Sequence, residues 1–149
     1  MLIREATEKD IPDLIDFQLK MALETENITL EISSLTLGVH RVFKDSTKGR
    51  YYVAEEKNET LGCLMTTYEW SDWRNGTVLW IQSVYVAKDH RGKGVFKKMY
   101  EHIQHLVNEV PDFKGIRLYV DKTNRSAQLT YEKTGMNGEH YTIYEWMKP

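Results

Sequence analysis

The stretch Val84-Tyr85-Val86-Ala87-Lys88-Asp89-His90-Arg91-Gly92-Lys93-Gly94-Val95-Phe96 combines residue types that could capture an anion. It reads as a strand, a turn rich in basic residues and glycine, and then a helix. Such a turn aims several backbone N–H groups and the positive end of the helix at one point. Glycine is needed because a Cβ would block close approach, and Arg91 and Lys93 add charge. A plain tight turn also explains a short Gly-x-Gly run, but the surrounding charge favours an anion site. Residues 87–133 hold 10 basic and 6 acidic residues, a balance of +4, whereas residues 1–86 hold 9 and 14, a balance of −5. The turn is not a P-loop, because Gly-x-x-x-x-Gly-Lys-Ser/Thr is absent and no hydroxyl follows Lys93 to hold magnesium. Nor is it a dinucleotide turn: Gly-x-Gly-x-x-Gly is absent and a hairpin precedes its strand.

The elements that must position this turn are outlined by hydrophobic spacing. Ile3 opens a short strand. Thr7-Glu8-Lys9-Asp10 resembles a capping box, with Asp10 the more comfortable cap for a helix containing Pro12; Ile11, Leu14, Ile15, Gln18 and Leu19 then recur at helical spacing with one polar interruption. Residues 24–45 read as a less regular helical region whose apolar stripe is Ile32, Leu35, Val39 and Val42 or Phe43. Tyr51 to Glu55 reads as a strand, Lys57-Asn58-Glu59 as a turn and Leu61 to Trp70 as a longer strand. Asn75-Gly76 predicts a type I′ turn, with positive φ at both central positions, before a strand over Val78 to Val86. Phe96, Met99, Tyr100, Ile103, Leu106, Val107 and Val110 mark one face of a helix ending near Pro111. Ile116 to Val120 gives a strand, Asn124 to Thr134 a helix stopped by Gly135, and Tyr141 to Met147 a final strand. This order predicts an α/β fold with a mixed sheet, the strands flanking the long helix being parallel. With 149 residues, 41% hydrophobic, and no repeat or linker, the chain reads as one domain, 1–149.

Arg91-Gly92-Lys93-Gly94 after Val84-Tyr85-Val86, followed by Asn124, Ala127, Tyr131 and Gly135 spaced as N-x-x-A-x-x-x-Y-x-x-x-G, resembles the GNAT N-acetyltransferase superfamily. The resemblance covers nearly the whole chain. It implies a mostly antiparallel twisted sheet of roughly six to seven strands flanked by about four helices, acetyl-CoA as co-substrate, no metal, and transfer of an acetyl group to a primary amine in a ternary complex. In the family's Q/R-x-x-G-x-G/A loop, Arg91 and Gly94 match, so the backbone of Arg91, Gly92, Lys93, Gly94, Val95 and Phe96 is expected to hold the pyrophosphate of coenzyme A. Phe96 stands where Gly or Ala is usual, and its ring must point away from the cofactor. Val84 and Val86 match strand positions whose backbone groups pair with the pantetheine arm, and both are also suited to a core. Asn124 matches a cofactor contact and equally suits a helix N-cap. Tyr131 matches the general acid that protonates the departing thiolate, a task its ordinary pKa of about 10 permits.

The base that deprotonates the amine is not given by the motif. Many family members carry a Glu on the fourth strand, but Val78-Leu79-Trp80-Ile81-Gln82-Ser83 offers none. Glu69 or Asp72 could substitute, or a water held by Gln82 or Ser83. Glu24, Glu26 and Glu31 suggest a cationic acceptor: a polyamine or aminoglycoside, or a lysine or N-terminal amine of a peptide. Trp70 and Trp73 could wall the acceptor site or a dimer contact; on the resemblance alone a homodimer is a reasonable expectation. Cys63 reads as a buried inert thiol, and His102 and His105 lack further ligands at metal spacing. A net charge of −2 argues against a general nucleic-acid binder. No apolar run reaches membrane-span length and the start, Met1-Leu2-Ile3-Arg4-Glu5, meets charge at once, so a cytoplasmic protein is expected. The competing reading is a non-catalytic acyl-CoA sensor or interaction domain.

Overall fold

Apolar side chains alternate along the central strands, and the alternation sorts them onto two covered faces of one sheet. The computed structural model describes residues 1–149, which form two compact units, Met1–Leu118 and Tyr119–Pro149. The first unit contains β1 (Leu2–Glu5), α1 (Ile11–Glu26), α2 (Ile32–Lys44), β2 (Arg50–Glu56), β3 (Glu59–Ser71), β4 (Gly76–Val86), α3 (Val95–Glu109) and β5 (Phe113–Arg117). The sheet order is β1-β2-β3-β4-β5. Pairing is antiparallel up to β4 and parallel between β4 and β5, as the crossover through α3 requires. Tyr51, Val53, Cys63 and Tyr85 meet Leu14 and Phe17 of α1 and Val39 of α2 on one face. On the other, Tyr52 meets the His102 ring of α3 at 5.6 Å, and Met99 and Ile103 are fully buried.

The entry to α1 is fixed by charge. Asp10 accepts the Thr7 N–H at 2.6 Å and two Arg4 nitrogens at 2.8 Å each, and Arg4 also reaches Glu55 at 2.6 Å. The Arg4 hydrogen bonds hold the Asp10 carboxyl below its ordinary range. Pro12 sits in the first helical turn, where its missing N–H costs nothing.

Several expectations are corrected. The region 24–45 is not one helix: α1 runs to Glu26 and stops at Asn27, left-handed with φ 54, and α2 begins only at Ile32. Ile32, assigned to the apolar stripe, is exposed, because the first turn of α2 extends beyond the core that buries Val39. The two hairpins exchange turn types. Lys57 and Asn58 have φ 53 and 64 and form the two-residue loop with both positions left-handed. Asn75 is left-handed with φ 47, but Gly76 is the first residue of β4, paired with Ser71, so the loop is the longer Asp72–Asn75. Gly76 is needed for close packing: a Cβ there would stand 2.5 Å from the Asp112 carbonyl.

The second unit contains α4 (Arg125–Lys133). Asn124 caps it, its Oδ1 accepting the Ala127 N–H at 3.1 Å. Gly135, φ 86, ends it in a Schellman arrangement: Met136 N–H donates to Tyr131 O and Gly135 N–H to Glu132 O. Tyr141 to Met147 is not a strand, so the sheet has five strands rather than six or seven. Alternation marks two faces but supplies no hydrogen-bonding neighbour, and a strand exists only when paired.

Candidate active site

The end of β4 is where the sheet opens. β3 accompanies β4 as far as Val86, but β5 pairs only with Thr77–Trp80, leaving the other edge of β4 without a strand beyond Trp80. In the same region the β3–β4 register slips and Ser83 adopts φ 55, a bulge within the strand. Two buried side chains meet the Ser83 carbonyl from behind: Gln18 Nε2 at 3.5 Å and Cys63 Sγ at 3.6 Å. Ala87 N–H bonds back to Leu61 O, so by alternation the backbone groups of Val86 and Val84 face the open edge. Both valine side chains are half-buried. Burial pushes the Cys63 thiol up to about 12, which makes it packing material rather than a nucleophile.

The loop that follows has the shape of an anion cradle. Gly92 and Gly94 are both left-handed, φ 74 and 78. Gly94 caps α3, whose start is bonded by no side chain and whose first turn has no acidic residue, leaving the N–H groups of Val95, Phe96 and Lys97 directed outward. Nothing lies within 4 Å of where a Cβ would stand at Gly92 or Gly94, so backbone conformation rather than crowding calls for glycine. Phe96 is buried and stacks on Tyr100 at 6.0 Å between centroids, which keeps its ring in the core while the backbone N–H stays at the helix start. Lys93 is exposed at the cradle. These groups suit a pyrophosphate.

The side chain of Arg91 is turned inward. Its Nε donates to Val86 O at 2.8 Å, Nη2 donates to Glu24 Oε2 at 2.6 Å, and the guanidinium lies 5.2 Å from the Tyr85 ring centroid. Tyr85 OH donates to the other oxygen of Glu24 at 2.9 Å. Partial burial works to raise the Glu24 pKa, but the bonds from Arg91 and Tyr85 outweigh it and lower the net value. Glu31 is also engaged: it caps α2 through the Ser33 and Ser34 N–H groups at 3.0 and 2.7 Å, and bonds from Ser33 and then Ser34 bring its carboxyl down to about 2. Of the three acids expected to attract a cation, only Glu26 is spared such partners.

Glu69 lies on β3 with both carboxylate oxygens occupied, one by Trp80 Nε1 at 3.1 Å and the other by Arg117 of β5. Gln82 Nε2 donates to Thr67 Oγ1 at 2.5 Å. Trp70 and Trp73 are exposed around the hairpin loop, as is Asp72. Within the second unit, Tyr131 is half-buried and burial raises its phenol pKa. A cavity of about 440 Å³ lies at the C-terminal end of α3, among Arg50, Tyr52, Tyr68 and His102, far along that helix from the glycine loop. No group of three or more His, Cys, Asp or Glu is placed to hold a metal, and no helix is long and apolar enough to cross a membrane.

Sequence reasoning passed over Gln18, Glu24 and Arg117 as supports of the site. The signal for Gln18 was present as the polar interruption in the apolar stripe of α1. Glu24 and Arg117 find partners far along the chain, which spacing does not reveal.

Comparison with known proteins identifies the family. The model of the Acetyltransferase (GNAT) family matches residues 19–136, a span that takes in parts of both units. A possible acetyltransferase from Clostridium difficile 630 is 40% identical, covers 99% of this chain and 97% of its own, and superposes with a TM-score of 0.92. A predicted acetyltransferase from Clostridium acetobutylicum, solved with acetyl-CoA, has 21% identity, coverage of 99% and 94%, and a TM-score of 0.73. An aminoglycoside acetyltransferase from an uncultured soil metagenomic sample, solved with sisomicin, has 18% identity, coverage of 99% and 95%, and a TM-score of 0.77. No curated protein sequence matches. With the family model spanning most of its length and a close structural relative over nearly all of it, the chain belongs to the GNAT acetyltransferase family, for which acetyl-CoA is the co-substrate.

Proposed function

We propose that this protein is a single catalytic domain that transfers the acetyl group of acetyl-CoA to a primary amine by direct attack, with both substrates bound together. The observation that carries this reading is the open β4 edge leading into the left-handed Gly92 and Gly94 and the bare start of α3. Acetyl-CoA supplies an activated thioester and a thiolate leaving group. In this reading the backbone of Arg91 to Phe96 and Lys93 hold the pyrophosphate, and the outward backbone groups of Val84 and Val86 align the pantetheine arm. Asn124 Oδ1 accepts the Ala127 N–H, and the amide nitrogen offers the donors for the cofactor contact proposed for this residue. Tyr131 gives its phenolic proton to the departing sulfur as the C–S bond breaks and the new C–N bond forms.

Glu69 is the proposed acceptor of the amine proton. Each carboxylate oxygen already accepts one bond, from Trp80 or from Arg117, so the amine proton would have to reach a remaining lone pair, and this engagement favours a second route in which a water beside Gln82 or Ser83 carries the proton away. The acceptor class remains a cationic small molecule, the aminoglycoside enzyme among the structural neighbours providing the precedent, or a peptide amine. The test is Tyr131→Phe: kcat should fall by roughly 10²-fold while acetyl-CoA affinity changes less than about twofold. An unchanged kcat would remove Tyr131 from the mechanism. Acetyl-CoA binding with no turnover on any amine would favour the sensor reading.

A further inference from the structure

We propose that Glu24 is a positioning residue for acetyl-CoA, acting through Arg91 rather than on the amine acceptor; this rests on the cofactor loop assigned above. Arg91 stands at the junction of three elements. Its Nε ties the loop to the last carbonyl of β4 at 2.8 Å, its Nη2 ties it to α1 through Glu24 at 2.6 Å, and its plane covers the ring of Tyr85. Glu24 accepts from Arg91 with one oxygen and from Tyr85 with the other, so the carboxylate fixes both the guanidinium and the ring beneath it. Lys88, at the start of the loop, adds a second cation 3.6 Å from Glu24.

Two members of this clamp, Val86 and Arg91, border the proposed cofactor path. Val86 is one of the two residues whose backbone faces the open edge of β4, and Arg91 immediately precedes the left-handed Gly92. A guanidinium held on two sides cannot swing freely, so the backbone that follows starts from a fixed point. Binding then avoids part of the cost of ordering the loop. With its charge balanced by Glu24, the Arg91 side chain serves as a strut, and the phosphates are left to the N–H groups at the start of α3 and to Lys93.

This reading opposes simple electrostatics. Removing Glu24 deletes a negative charge beside an anion site, and charge alone predicts tighter cofactor binding. A clamp predicts weaker binding. Calorimetric titration of acetyl-CoA into wild type and Glu24→Gln separates them: Kd should rise roughly tenfold, the scale of one lost charge-assisted hydrogen bond. Tyr85→Phe, which keeps the ring and loses only its bond to Glu24, should weaken binding in the same direction with a smaller effect. In an Arg91→Gln background, Glu24→Gln should add less than about twofold, because the strut it holds is gone. Asp45→Asn, an equal change in net charge at the end of α2, should leave Kd as it is. With an amine substrate in hand, Glu24→Gln should raise KM for acetyl-CoA and not for the amine. Unchanged or tighter acetyl-CoA binding by Glu24→Gln, or additive effects with Arg91→Gln, would overturn the clamp. Failure of the wild type to bind acetyl-CoA would overturn the cofactor loop itself, and the clamp with it.

Discussion

A phenol whose pKa is raised keeps its proton at a pH where a free tyrosine is losing it, and Tyr131 is such a phenol because burial disfavours its anion. If it is the acid, the alkaline fall of kcat assigned to it should lie above pH of about 10, the ordinary tyrosine value, and should be missing from the residual activity of Tyr131→Phe. A fall retained in the Phe variant would assign that limb to another group. Glu69→Gln provides the corresponding test of the base. A carboxylate base predicts a loss of roughly 10²-fold or more in kcat at neutral pH; loss of less than about threefold would favour the water route beside Gln82 and Ser83. Residue identity made the left-handed glycines of the loop legible in the sequence, since positive φ calls for glycine, while the proposed role of Tyr131 rests on its phenol and its place in the motif. The partners of Glu24 and Glu69 were not legible. Glu24 is 67 positions from Arg91, and Glu69 is 48 from Arg117, so only the folded sheet brings them together.

The β4-loop-α3 element was readable because its pattern changes sharply from a strand period through glycine to a helical period. Gly94→Ala should test how it works. The position has φ 78 but no neighbour within 4 Å, so the stability cost should be limited to about 1–2 kcal/mol of left-handed backbone strain. Acetyl-CoA affinity should fall by more than stability alone accounts for, because relaxation of φ would redirect the N–H groups of the loop; unaltered affinity would remove the cradle geometry from the explanation. The hairpins were less readable. Asn-Gly is a strong turn signal, yet Gly76 is required by the nearby Asp112 carbonyl, while the two-residue turn formed at Lys57-Asn58 with no glycine at all. Likewise, the stripe of α2 gave the buried position Val39 but misplaced Ile32, because periodicity does not tell how far the core extends. The bulge at Ser83 left no pattern in its own strand; its trace was Gln18, on a different element.

At the scale of the molecule, the order of elements was legible through Gly135, and the extra C-terminal strand was not confirmed because pairing partners are invisible to alternation. The charged entry to α1 makes a prediction about the whole fold. Asp10 has a folded-state pKa below its unfolded value of about 3.9, so its contribution is fully present above that value and disappears as pH falls through the lower folded one. Asp10→Asn should therefore destabilise the protein at neutral pH by about 1–2 kcal/mol, and the difference from wild type in denaturant titrations should narrow toward the acid limit. A difference constant across that range would mean that the Arg4 pair does not contribute through charge. The central claim is acetyl transfer from acetyl-CoA to an amine, and its most direct measurement is release of free CoA thiol with and without a panel of polyamines, aminoglycosides and lysine peptides, alongside the heat of acetyl-CoA binding. Saturable binding with thiol release that depends on the amine, and a product heavier by one acetyl group, is the expected result. Absence of acetyl-CoA binding would contradict it.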